Sequence, residues 1–206
     1  MLIDGLRFLL KGGPMMWPLF VCAIVSVAVM IERTVVLGRA AASGQPLAEK
    51  VRMMLEQGQD KPALEASQQA GGPVAALLAD AIGNQNLPYE KLEKKLEERA
   101  LVEMPKLTER LSVLDTIITI SPLLGLLGTV TGMISAFHIV GDPSSSNAPA
   151  AITGGVAEAL IATATGLTIA IVTLVGYNFL GEKVKRVVAS MELSSTQVLN
   201  VLASRS

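Results

Sequence analysis

The sequence predicts an all-α, polytopic membrane protein with three transmembrane helices, two of them extended into a cytoplasmic helical domain. Mean hydropathy over the 206 residues is +0.50, too apolar for an ordinary soluble domain. The charges are segregated: Gly12–Ile31, Thr116–Gly141 and Ala159–Gly181 contain no Asp, Glu, Lys or Arg, so the 17 basic and 18 acidic residues all fall elsewhere. Apolar residues at helical spacing also continue beyond the second and third of these stretches. Each stretch reaches the roughly 20 residues a helix needs to cross the hydrocarbon core, where every backbone polar group must be bonded internally.

Residues 1–15 read as an N-terminal periplasmic or interfacial segment, and 16–37 as the first span. A signal peptide is the competing reading, with Arg7 and Lys11 before the apolar run and Ala40-Ala41-Ala42 after it. Glu32, Arg33 and Arg39 intervene before any such cleavage site, which favours a retained anchor. Residues 38–112 form the charged helical domain. After the breaker-rich Ala41–Pro46, short amphipathic helices are expected at Leu47–Glu56, Pro62–Ala70 and Val74–Ile82, separated by Gly58, Gly71, Gly72 and Gly83.

From Pro88 the pattern lengthens. Leu92, Leu96, Ala100, Met104, Leu107, Leu111 and Leu114 recur at spacings of three and four. The stripe predicts one helix of about 50 residues, ~75 Å long, entering the second span at 113–140. Pro105 is expected to kink it. Residues 141–152, with Gly-Asp-Pro-Ser-Ser-Ser-Asn-Ala-Pro, are turn chemistry and make the second and third spans an antiparallel hairpin. The third span is 153–181. Residues 182–206 continue it as an amphipathic helix carrying Val184, Val187, Val188, Met191, Val198 and Leu202.

Eleven basic residues lie within Glu32–Ser112, four in Glu182–Ser206, two before Gly12 and none between the second and third spans. The positive-inside rule therefore puts the long middle segment and the C-terminus in the cytoplasm, and the N-terminus and the 141–152 loop outside.

Several functions are excluded. A lone Cys22 inside the first apolar stretch permits no intrachain disulfide and reads as a packing residue. A net charge of −1 and 3% aromatic residues argue against nucleic-acid binding. No phosphate-cradling Gly-Lys-Ser/Thr loop, no His/Cys metal spacing and no nucleophile–histidine pair occurs, so neither an enzyme nor a cofactor is expected. Any transport must draw on an ion gradient.

The spans have unusual texture. Ser121, Gly125, Gly128, Gly132 and Ala136 place small residues on one stripe of the second span, and Ala159, Thr163, Gly166, Ala170 and Thr173 repeat the device on the third. Tight helix packing alone accounts for such stripes. Thr129 and Thr163, with Thr131, Thr165 and Thr168, are hydroxyls inside the apolar runs that either bond their own helix or offer an oxygen to an ion. Glu158 is either a first-turn carboxylate favoured by the helix dipole or a functional membrane carboxylate. His138, the only histidine, reads as interfacial rather than as a proton relay, and Asp115 as a hydrated residue at the inner mouth of the second span.

At these residues the sequence resembles the MotA/TolQ/ExbB proton-channel family. Ser121–Phe137 (Ser-Pro-Leu-Leu-Gly-Leu-Leu-Gly-Thr-Val-Thr-Gly-Met-Ile-Ser-Ala-Phe) and Gly154–Leu167 (Gly-Gly-Val-Ala-Glu-Ala-Leu-Ile-Ala-Thr-Ala-Thr-Gly-Leu) carry the resemblance, in the right order and at the right separation. Gly13–Leu19 and Ile31-Glu32-Arg33 look like the family's first span, so about residues 13 to 190 are covered. Three spans in about 200 residues look like the ExbB/TolQ branch. The resemblance implies a bacterial inner-membrane protein forming a homopentameric ring in membrane lipid around two single-span partners of the ExbD/TolR type. Each partner brings a membrane carboxylate, and proton-motive force is passed to a TonB- or TolA-like protein. Thr129 and Thr163 match the family's pore-facing threonines, Glu158 its glutamate and Pro122 the proline of its second span. With Thr165, a hydroxyl inside the third apolar run, the first three are the ion-pathway candidates, and Pro122 joins Gly125, Gly128, Gly132 and Gly166, read from their spacing, as packing residues. Ala162 ahead of Thr163 is similar to proton-using relatives. An ExbB-like transport role, a TolQ-like role in envelope integrity or division, and a non-conducting membrane scaffold are the readings to separate.

Overall fold

The computed structural model describes residues 12–140 and 148–205. Residues 1–11 of the expected N-terminal segment and 141–147 of the expected loop lie outside the described residues. The described secondary structure is helical throughout: α1 (Met16–Glu56), α2 (Asp60–Ala70), α3 (Pro73–Gly83), α4 (Tyr89–Thr108), α5 (Leu111–Val140) and α6 (Ala148–Ala203). α1, α5 and α6 each hold a stretch long and apolar enough to cross a membrane. The protein is therefore a multi-pass, all-helical membrane protein with three candidate spans.

Two helix boundaries differ from the sequence expectation. α1 continues unbroken through 41–46 to Glu56, although Pro46 lies inside it. A helix-interior proline costs about 3 kcal/mol. Beyond it, however, Ala48, Val51 and Leu55 are buried, at up to ~3 kcal/mol for each large side chain. The preceding Gly44 lets the backbone approach α3 and α6, since a Cβ there would stand 3.0 Å from Cγ2 of Val74 and 3.2 Å from Oγ of Ser190. Burial of that face outweighs the lost backbone bond.

The long helix expected from Pro88 into the second span is two helices. Pro105 stays inside α4, and the chain leaves the helix after Thr108, with Glu109 at φ −49°, ψ 137° and Arg110 in the left-handed region at φ 62°. Arg33 of α1 fixes the end of α4. Its Nη1 donates to the carbonyl of Lys106 at 3.1 Å and its Nη2 lies 3.2 Å from Oε2 of Glu109, with only 4% of the side chain exposed. Carbonyls in a last helical turn lack intrahelical donors and attract cations, so a buried guanidinium stabilises termination there.

The chain divides into two compact units. The polar unit holds residues 31–109 and 179–205. Its core is built from Leu37, Val51 and Leu55 of α1, Leu77 and Leu78 of α3, Leu92, Leu96 and Leu107 of α4, and Val187, Met191 and Val198 of α6. Buried Glu103 is met by Arg99 at 3.0 Å and Lys106 at 2.8 Å, and Arg205 closes on Asp60 at 2.8 Å. The membrane unit holds residues 12–30, 110–140 and 148–178. Its interior combines small residues such as Ser121, Ala136, Ala159, Ala162 and Thr173 with Leu19, Leu114 and Ile117, while other large apolar side chains such as Trp17, Leu126, Ile134, Phe137, Leu160 and Val175 point outward, as a lipid or protein environment requires.

Candidate functional site

Within the membrane unit the two small-residue stripes meet each other. A Cβ on Gly125 would stand 3.0 Å from Cα of Thr163; one on Gly128 would stand 2.6 Å from Cβ of Ala162; and one on Gly132 would lie 3.0 Å from the carbonyl oxygen of Gly155 and 3.1 Å from Cβ of Ala159. A Cβ on Gly155 would meet Ala136, and one on Gly166 would overlap the carbonyl oxygen of Ser121. The backbones of α5 and α6 are in direct contact along this seam, at positions where any larger residue forces them apart. Pro122, half-buried, sits beside Ser121, where the seam meets Gly166.

The threonines separate into two kinds. Thr129 donates to the carbonyl of Leu126 at 2.6 Å, Thr131 to Leu127 at 3.0 Å, Thr165 to Ile161 at 2.8 Å and Thr168 to Ala164 at 2.8 Å, all within their own helices. Thr163 instead reaches across the seam and donates to the carbonyl of Gly125 at 2.9 Å. In the α-helical pattern that carbonyl also accepts the N–H of Thr129, so the two threonines converge on one peptide group. Their hydroxyl protons are committed to backbone carbonyls. What each side chain presents to its surroundings is oxygen lone pairs, suited to a proton donor or a cation.

Glu158 is half-buried, with its carboxylate against Gly13 at the start of α1. Thr129 shares a shallow open groove on α5 with Val130, Met133, Ile134, Phe137 and His138, so His138 lies on the same outward face. Asp115 is exposed. Among the described residues no cluster of His, Cys, Asp and Glu is placed to hold a metal ion.

Two features escape a reading of the sequence. Ser121 is fully buried and its Oγ has no hydrogen-bond partner, unlike the helical threonines around it. Gly13 has φ +72°, and its contact with Glu158 joins residues 145 positions apart; the Gly-Gly-Pro run signals a helix start and nothing more.

Residues 49–193 match the family described as the MotA/TolQ/ExbB proton channel family. The chain is 31% identical over 171 residues to the biopolymer transport protein ExbB-like 3 of Synechocystis sp., covering 82% of this chain and 81% of that one. It is 28% identical over 195 residues to the biopolymer transport protein exbB1 of Vibrio cholerae, covering 87% and 80% respectively. Against the biopolymer transport protein ExbB of Pseudomonas putida it is 33% identical over 154 residues, spanning 70% of this chain and about half, 46%, of that relative.

Proposed function

The chain belongs to the MotA/TolQ/ExbB proton channel family, whose members are transport components and not enzymes, and on that membership we propose that it is the ring-forming subunit of a proton-motive-force-driven motor. In this reading the N-terminus faces the periplasm and the C-terminus the cytoplasm of a bacterial inner membrane. Five copies surround a dimer of an ExbD-type single-span protein and energise TonB-dependent transport across the outer membrane. The ExbB names of the relatives favour this over the TolQ-like role.

One observation carries the mechanism: the hydroxyl protons of Thr129 and Thr163 are already spent on the neighbouring carbonyls of Leu126 and Gly125. A protonated carboxyl on a partner helix finds acceptors at these threonines and no competing donors. A deprotonated one is disfavoured there by desolvation. Proton transfer therefore changes which position of the partner is stable, and one charge crossing 100 mV supplies ~2.3 kcal/mol. Thr165 and Glu158 complete the pathway. The rigid seam of Gly125, Gly128, Gly132 and Gly166 keeps the acceptors in place.

Native mass spectrometry of the chain co-expressed with its neighbouring single-span protein tests the architecture, the expected result being five copies with two partners. The variant Thr129→Val with Thr163→Val tests the mechanism: assembly without gradient-driven work is expected. A variant that works as well as the parent would leave only a scaffold.

A further inference from the structure

The first described residues of the chain are not a passive lead-in to α1. Gly12 and Gly13 lie on α6: a Cβ at Gly12 would approach Cγ2 of Ile161 to 3.1 Å, and a Cβ at Gly13 would overlap Oε1 of Glu158, with Cδ at 2.8 Å and Cγ at 3.2 Å. Met15 lies over Gly128 of α5. The turn is closed by the N–H of Met16 donating to the carbonyl of Gly13 at 3.1 Å. Gly13 itself is left-handed at φ +72°, a conformation that L side chains rarely adopt. The carboxylate of Glu158 thus occupies the volume that a side chain at position 13 would need.

We propose that Gly13 is a positioning residue for Glu158, its bare α-carbon forming the seat of the carboxylate at the N-terminal end of the first span. α1 has no acidic residue in its first turn, and the Glu158 side chain of α6 lies against the chain just ahead of that turn. The seat leaves room for the Glu158 side chain that any side chain at position 13 would remove. The part assigned to Glu158 in proton-driven work rests on the function proposed above; the seat itself does not.

The test is a double-mutant cycle on the full-length chain in its native complex, reading the melting temperature. Gly13→Ala introduces both backbone strain and a clash with Glu158. Gly58→Ala introduces the strain alone, because Gly58 has φ +75° and nothing within 4 Å of a Cβ. The expected result is a melting-temperature loss for Gly13→Ala at least about twice that for Gly58→Ala, falling to the Gly58→Ala level when Glu158→Ala is also present. Losses that add without coupling would overturn the seat. If Gly13→Ala alone does not assemble, recovery of assembly in the double variant is the supporting result and continued failure the overturning one. Gradient-driven activity is read in parallel. Coupling in stability with full activity in Glu158→Gln would sink the role of Glu158 in transport while leaving its seat intact.

Discussion

Thr163 donates its hydroxyl to the carbonyl of Gly125 at 2.9 Å, crossing from α6 to α5, whereas Thr129, Thr131, Thr165, Thr168 and Thr173 bond their own helices. The bond exists because Gly125 has no side chain: a Cβ there would press on the Thr163 backbone at 3.0 Å.

Replacing Thr163 with valine keeps the shape and removes the bond. Interhelical hydrogen bonds in membranes average about 0.6 kcal/mol, so the stability loss should be small, and Gly125 retains its helical N–H partner. Gradient-driven activity should nevertheless fall at least about tenfold, and Thr163→Ser should restore it. Proton flux through vesicles containing the complex measures this; equal flux in Thr163→Val and the parent would show that the oxygen is not on the pathway.

Gly166→Leu should be far more damaging than a leucine on the outward face of the same helix. At Gly166 even a Cβ overlaps the Ser121 carbonyl, which is backbone and cannot rotate away. Overpacking of this kind costs about 1–3 kcal/mol or more. A lower melting temperature in detergent is expected for Gly166→Leu and Gly128→Leu, with Val175→Leu as an unaffected control, since Val175 is 66% exposed.

Arg33→Met retains the length of the buried stem and removes the donors that end α4. Leaving the Lys106 carbonyl without its donor should cost about 1–3 kcal/mol. Hydrogen exchange at 107–111 should quicken, and Arg33→Lys should restore only part of the protection because an ammonium cannot present the guanidinium's fork to the carbonyl and Glu109 together. Unchanged exchange would place the cause of the helix break in Pro105.

The C-terminal end of α6 should loosen in acid. The Arg205 guanidinium, bonded at 2.8 Å, holds the Asp60 carboxyl below its ordinary value; partial burial opposes this and a 3.2 Å bond from Gln85 assists it. A carboxylate lowered by folding stabilises the folded state above its unfolded value of ~3.9, and that contribution disappears as pH falls through the lowered folded value. A spin label at Ser204 should gain mobility over that range, whereas Asp60→Asn should be mobile already at neutral pH and show no such transition.

The spans and the stripes were legible because they are periodic. The absence of charge over Thr116–Gly141 identifies a membrane helix without reference to anything else, and Gly125, Gly128 and Gly132 fall on one face by spacing alone. What escaped were the places where distant residues decide. Pro46 and Gly44 read locally as breakers, yet α1 continues through them, with Gly44 packed close to Val74 and Ser190. Pro105 reads as the kink, but the helix ends a turn later, where Arg33, 73 residues away from Lys106, meets the Lys106 carbonyl and the Glu109 carboxylate. The site divided the same way. Thr129 and Thr163 were visible as hydroxyls in apolar runs, whereas the choice of Gly125 as acceptor and the seat of Glu158 at Gly13 depend on which helices touch.

Glycine and alanine have no rotamers to lose, so the α5–α6 seam forms without freezing side-chain motion, whereas a leucine contact of the same area would surrender about 0.5–1 kcal/mol per residue in entropy. A joint of bare backbone also has no alternative packing to switch into. The α5–α6 pair is thus a stave with little give of its own, and the freedom in this face belongs to the outward side chains of Met133, Ile134 and Phe137, while the hydroxyl of Thr129 is tied to Leu126.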